Sequence, residues 1–285
     1  MRQLHQHRQT AFAVCYRRQA FHQRPRNAMA YALEDYLRLL DDLVAAGFPL
    51  HPIRDYFAAP VAPPFVYLRH DIERQPRRAL AMARREADRG IRASYYFRCD
   101  ARGQFPAGIM RHLADLGHEV GFRYECLGRC RGNTDTALVR FETELAAARQ
   151  ITLIETVAPL GQRLLPAQRT DSTTGVGPEG LTLLGDAAAI DYTHILYITD
   201  SGGCFGSRHN RHDHSGGPQL GEPVTPRDLA AWLLEQGVQR VMLNCHPERW
   251  PRGALARLDA GLRDRIGWLS GGWRRQRAAD LGSGD

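Results

Sequence analysis

From residue 65 to residue 243 the sequence alternates short apolar runs with amphipathic stretches, and this alternation is what most narrows the choice of folds. The apolar runs fall at 65–68, 93–97, 119–122, 153–158, 189–192, 195–199 and 239–243, each with the length of a buried strand. Helix-length segments separate most of them, at 76–89, 106–116, 134–149 and 226–236. Gly90, Gly117 and Gly237 follow three of these segments as stop signals, and Thr225 offers the last an N-cap. Strands joined through helices run parallel, because only a crossover connection has room for a helix. The expected class is therefore α/β with one parallel sheet.

Two more helices flank this pattern. Leu33, Tyr36, Leu37, Leu40, Leu43 and Val44 recur at helical spacing inside 28–48, with Gly47 as the stop, which predicts an N-terminal helical extension packed on the sheet. A last helix is expected at 251–269. Residues 1–27 are polar and aperiodic and read as a poorly ordered leader, and 273–285 as a tail. No shift of composition divides the remainder, so 28–272 reads as one domain.

With 43% hydrophobic and 24% charged residues, the chain has enough apolar mass for a large core, which excludes wholesale disorder. All 38 of its basic residues are arginine; against 31 acidic residues they give a formal charge of +7. The arginines at 74–92 and 274–277 alternate with apolar or acidic residues, a helix-face pattern that argues against a nucleic-acid-binding arm. A lysine-free chain has no P-loop lysine, so nucleotide chemistry is not expected. The six cysteines lack C-x-x-C spacing and read as reduced thiols. There is no apolar secretion-signal core and no run of about 18 apolar residues, so the expectation is a cytoplasmic protein without a membrane span.

Active sites in parallel sheets form at the carboxyl ends of the strands, where the loops converge. Collected at those ends are Arg69, His70, Asp71 and Glu73, then Arg98 and Asp100, then Arg123, Tyr124 and Glu125, then Asp200, and finally Asn244 and His246. Asp71 and Glu73 place two carboxylates on alternate positions, one suited to a cation and the other to a proton. His246 is the natural acid or base, because an imidazole titrates near neutrality. His118 precedes its strand and belongs at the opposite end. The loop at 208–214 carries three histidines and an aspartate, a zinc-capable composition that reads as a solvated surface loop.

Five ordered blocks resemble the polysaccharide deacetylase-like proteins of the NodB-homology class. They are Leu68-Arg69-His70-Asp71-Ile72-Glu73, residues 90–98, residues 117–125, Leu196-Tyr197-Ile198-Thr199-Asp200-Ser201-Gly202, and Asn244-Cys245-His246-Pro247-Glu248-Arg249-Trp250. The resemblance implies a distorted (β/α) barrel of about seven parallel strands. It also implies a hydrolase that removes acetyl groups from an amino sugar or small glycan with one divalent metal, most often zinc. By motif position Asp71 is the catalytic base, His246 the catalytic acid and Glu73 a metal ligand. Arg69, His70, Arg98, Arg123, Glu125, Asp200 and Trp250 then fall to substrate binding.

The departures carry equal weight. Glu73 stands where the family pattern has aspartate, Arg123 where it has histidine, and Leu160-Gly161 aligns with a His-Gly pair. An arginine is cationic, offers only donors, and cannot ligate a metal. Two alternatives follow: a catalytically silent glycan- or metabolite-binding relative in which Arg123 replaces the metal, so that no cofactor is used, or a metal-free enzyme whose anionic substrate is held by Arg69, Arg98 and Arg123. Neither the oligomeric state nor the glycan is written in the sequence.

Overall fold

The computed structural model describes residues 31–161, 164–165, 182–207, 210 and 217–251. The expected leader and tail, the 251–269 helix beyond Pro251, and most of the histidine-rich loop lie outside the described residues.

The elements alternate in the predicted way: α1 (Leu33–Ala45), β1 (Leu50–His51), α2 (Ile53–Ala58), β2 (Phe65–Ile72), α3 (Pro76–Ala87), β3 (Ser94–Phe97), α4 (Ala107–Asp115), β4 (Glu119–Tyr124) and α5 (Cys126–Arg129). They continue with α6 (Thr134–Arg149), β5 (Thr156–Pro159), β6 (Gly185–Asp186), β7 (Leu196–Thr199), α7 (Leu229–Glu235) and β8 (Arg240–Cys245). All eight strands form one sheet whose main path runs β6-β5-β4-β3-β2-β8-β7, with the short β1 added beside the start of β2. Every ladder is parallel. The path curls into a half-barrel, and β6 and β7 end it without pairing to each other among the described residues.

Strand alternation sorts the core into two layers. Phe65, Tyr67, Tyr96, Ala158, Tyr197 and Met242 pack on the concave face. Val66, Leu68, Ile72, Tyr95, Phe97, Phe122, Ile198 and Leu243 face the helices and meet their apolar stripes, among them Leu40 of α1, Met82 of α3, Leu113 of α4, Phe141 of α6 and Leu233 of α7. Among the described residues no helix is long and apolar enough to cross a membrane.

Three expectations need correction. The strand expected to end at Leu68 continues to Ile72, so Arg69, His70 and Asp71 are strand residues rather than loop residues. No strand occupies 189–192; that region holds two short 3-10 turns, Ala187–Ala189 and Tyr192–His194. The side chains of Asp186 and Asp191 accept hydrogen bonds from the amides of Ala188 and Thr193 and so favour turns over a ladder. Helix α7 begins at Leu229, three residues later than Thr225 suggests, and the Thr225 hydroxyl donates to the Asp228 carboxylate at 2.5 Å instead.

Candidate functional site

The concave face of β2 presents Arg69 and Asp71 side by side, two residues apart on one side of the strand. The Arg69 guanidinium forks onto the Asp71 carboxylate, Nε to Oδ1 at 2.9 Å and Nη2 to Oδ2 at 3.0 Å. From β8, Asn244 Nδ2 donates to Asp71 Oδ2 at 3.0 Å and also to the Tyr197 hydroxyl at 2.9 Å. From β4, Arg123 Nη2 approaches Asp71 Oδ2 to 3.4 Å, while its Nη1 is hydrogen-bonded to Glu73. Arg123 thus bridges the two carboxylates of the first motif. All three of Arg69, Asp71 and Arg123 are buried.

The packing behind this cluster explains a glycine. The Arg69 guanidinium lies over the Tyr96 ring, 5.1 Å from its centroid. A Cβ on Gly121 of β4 would sit 2.3 Å from that ring, so only glycine leaves room for Tyr96 and for the stacking beneath Arg69.

Burial alone would raise the Asp71 carboxyl, but Arg123, then Arg69, His246 and Asn244, hold it well below the usual carboxylate range. A carboxylate has about four lone-pair sites, and four donors crowd this one. Asp71 is therefore an anchor for two arginines and a poor proton acceptor.

A second group stands at the ends of β7 and β8. His246 Nδ1 is 2.6 Å from Asp200 Oδ1, and the His246 backbone amide donates to the same carboxylate. Trp250 donates its indole N–H to Asp200 Oδ2 at 2.7 Å. Arg249 Nε lies 3.9 Å from Oδ1. Burial disfavours the imidazolium, yet the Asp200 charge, the hydrogen bond to it and the charge of Asp71 together raise the His246 pKa. Burial raises Asp200, but His246 and then Arg249 bring it below its ordinary value. With Nδ1 committed to Asp200, Nε2 has no hydrogen-bond partner among the described residues.

Two acceptors near it share that condition: Asn244 Oδ1 and Glu248 Oε2 are buried with no partner among the described residues. Burial first, then Glu73 and Asp200, push the Glu248 carboxyl up. Asn244, His246 and Glu248 follow at alternate positions along the end of β8 and the turn Pro247–Arg249. They form a row of unmet hydrogen-bonding capacity beside the ionic cluster, and unmet buried polar atoms mark where a ligand or water is accommodated.

Most of the residues singled out in the sequence meet here, namely Arg69, Asp71, Glu73, Arg123, Asp200 and His246, with Trp250 behind Asp200. Arg98 and Glu125 do not join them. They pair with each other at 3.5 Å, both about a third exposed, and Glu125 also takes Arg129 at 3.2 Å. His70, expected in the mouth, turns to the helix-covered face, because it alternates with Arg69 and Asp71. His118 lies at the start of β4, where its Nε2 donates to the Ala83 carbonyl at 2.9 Å. Asn210, the one described residue of 208–214, donates to the Thr199 carbonyl at the end of β7. The sequence reading missed Tyr197, Tyr96 and Glu248. Tyr197 was open to inference, since it precedes Thr199 by two residues and shares its face.

The donor set does not fit a divalent metal. Between Asp71 and Glu73 stands a guanidinium, which repels a cation, and Leu160 offers no imidazole. No group of three or more His, Cys, Asp and Glu suited to a metal occurs among the described residues. No family profile, no characterised protein and no solved structure matches the chain.

Proposed function

We propose that this protein binds a small polar ligand, an acetylated sugar or short glycan, at the carboxyl ends of β2, β7 and β8, as a relative of the polysaccharide deacetylase-like proteins in which Arg123 takes the place of the metal. One observation carries the reading: the Arg123 guanidinium bridges Asp71 and Glu73, the two carboxylates that a metal-dependent deacetylase would keep for its base and its metal. The fixed cation holds both side chains in place without an ion, and the base role of Asp71 is lost with its lone pairs. What stays open is the row formed by Asn244 Oδ1, His246 Nε2 and Glu248 Oε2. A polyhydroxylated ligand supplies donors to Asn244 and Glu248 and an acceptor to protonated His246.

A second reading has its own support. His246 backed by Asp200 at 2.6 Å, with no partner at Nε2 among the described residues, is the arrangement of a positioned general acid, so a metal-free proton-transfer enzyme is the competing function. An anionic substrate gripped by three arginines is less favoured, because Arg69, Arg98 and Arg123 all engage carboxylates of the chain itself.

The test is calorimetric titration with N-acetylglucosamine oligomers, run beside an acetate-release assay with and without added zinc, manganese or nickel. The expected result is saturable binding that His246→Ala weakens at least tenfold, about 1.4 kcal/mol, with no acetate release under any metal. Zinc-dependent acetate release abolished by Glu73→Ala would overturn the reading.

A further inference from the structure

On the face of β2 opposite the candidate site, the protein buries a second ionisable cluster centred on Glu86 of α3. Glu86 Oε1 is 2.9 Å from His70 Nε2 and accepts the Tyr36 hydroxyl; Oε2 accepts the Tyr95 hydroxyl at 2.7 Å. His118 Nδ1 stands 3.7 Å from Oε2, but that nitrogen accepts the Ala93 amide, so the ring is the neutral Nε2–H tautomer. Glu86, His70, Tyr36 and Tyr95 are all fully buried.

The hydrogen-bond pattern fixes the orientation of the His70 ring. Its Nδ1 faces the Cys245 carbonyl at 3.1 Å, an acceptor, and carries a proton. Its Nε2 stands 2.9 Å from Glu86 Oε1 and 3.2 Å from the Tyr36 hydroxyl, which itself donates to Glu86. The Tyr36 and Tyr95 hydroxyls both donate to Glu86 and favour its ionised form. His70 is thus held between the Cys245 carbonyl and Glu86.

Two separate linkages run from this pair to His246. The first goes through the His70 ring to the carbonyl of Cys245, the residue bonded to His246. The second goes through Tyr36, whose ring packs on Trp250 at 5.4 Å between centroids, and Trp250 holds Asp200, the partner of His246 Nδ1. We propose that Glu86 is a positioning residue for His246: bonded to His70 and to Tyr36, it fixes both the backbone that carries His246 and the carboxylate that orients its ring. The proposal rests on the reading that His246 is the working group of the site. The groups facing His246 are Asp200 from the end of β7, Asp71 from β2, and Glu248 and Arg249 from its own turn. Those facing the hub are Tyr36 from α1, Tyr95 from β3, His118 from the start of β4 and Cys245 from β8.

Histidine-ring proton–nitrogen correlation spectra of the full chain test this directly. In the wild type at pH 7 the His246 Nδ1 proton is expected far downfield, bonded to Asp200. In Glu86→Gln the His246 Nδ1 signal should move upfield, and its titration midpoint should shift by about half a unit or more. Tyr36→Phe removes one hydroxyl while keeping the ring on Trp250, and it should shift the His246 signal in the same direction by a smaller amount. This second variant decides the matter if Glu86→Gln does not fold. His246 signals unchanged in a folded variant would overturn the proposal. Ligand titration of the same samples separates the two claims: lost binding with intact coupling sinks only the functional reading, and intact binding with no coupling sinks only this one.

Discussion

Strand β2 carries two buried ionic clusters back to back, and they differ in one respect that separates scaffold from site. On the helix-covered face, Glu86 meets donors at both oxygens and His70 meets a partner at each nitrogen. On the concave face, Arg69, Asp71 and Arg123 are likewise mutually engaged, but the neighbouring row on β8 leaves Asn244 Oδ1 and Glu248 Oε2 unmet. Leaving a buried polar atom unpaired costs about 1–3 kcal/mol, so the concave face retains capacity that only something outside the described residues fulfils. Full satisfaction belongs to the scaffold and partial satisfaction to the site.

The sharpest way to break this contrast is to remove Asp71. Asp71→Ala takes from the buried Arg69 guanidinium the carboxylate it forks onto and from Arg123 one of its two, and urea unfolding should show a loss of about 3–5 kcal/mol. A near-neutral result would mean that Asp71 sits in open solvent-filled space as a free base, contrary to the geometry.

Acid titration probes the outer cluster next. Burial pushes Glu86 up, but the charge and hydrogen bond of His70, with the Tyr36 hydroxyl, bring it down to about 2 from the ordinary 4.5. A carboxyl whose pKa is depressed in the folded state stabilises the fold above its unfolded value and loses that contribution as pH falls through the folded value. Stability should therefore drop by about 3 kcal/mol between roughly pH 5 and pH 2 in the wild type, and this component should vanish in Glu86→Gln. Equal acid sensitivity in both proteins would show that Glu86 is not held ionised.

Smaller effects sharpen the picture. Gly121→Ala forces the Tyr96 ring away from its place under Arg69 and should cost about 1–3 kcal/mol in urea unfolding, as overpacking does. The partly exposed pair Arg98–Glu125 should be worth about 1 kcal/mol or less, screened by salt, and Arg98→Ala should leave ligand titration unchanged. An Arg98→Ala loss of binding would move the site outward to that rim.

Where periodicity was strong, the sequence was a sufficient guide. Helix α6 occupies the expected 134–149, capped by Asn133 accepting the Thr136 amide. The ionic part was harder to see, for a physical reason. Arg69-His70-Asp71 reads as a polar loop, yet it is strand, because the charges of Arg69 and Asp71 are met within β2 and from Arg123 of β4 rather than in water. Assigning it to a loop also hid the alternation that sends His70 away from the mouth. Glu86 reads as part of a charged helix surface, although its spacing from Ala79, Met82 and Ala83 places it on the buried stripe of α3. Glu248 carries no periodic signal at all, since a turn and not a regular element brings it beside His246.

The central claim is that a guanidinium stands where a metal would be needed, and metal binding tests it most directly. Elemental mass spectrometry of tag-free protein, after saturation with zinc, manganese, nickel or iron and removal of the excess, should find no metal near stoichiometry in the wild type. One metal ion per chain, lost on Asp71→Asn or Glu73→Ala in protein that remains folded, would contradict the account and return the chain to metal-dependent hydrolysis.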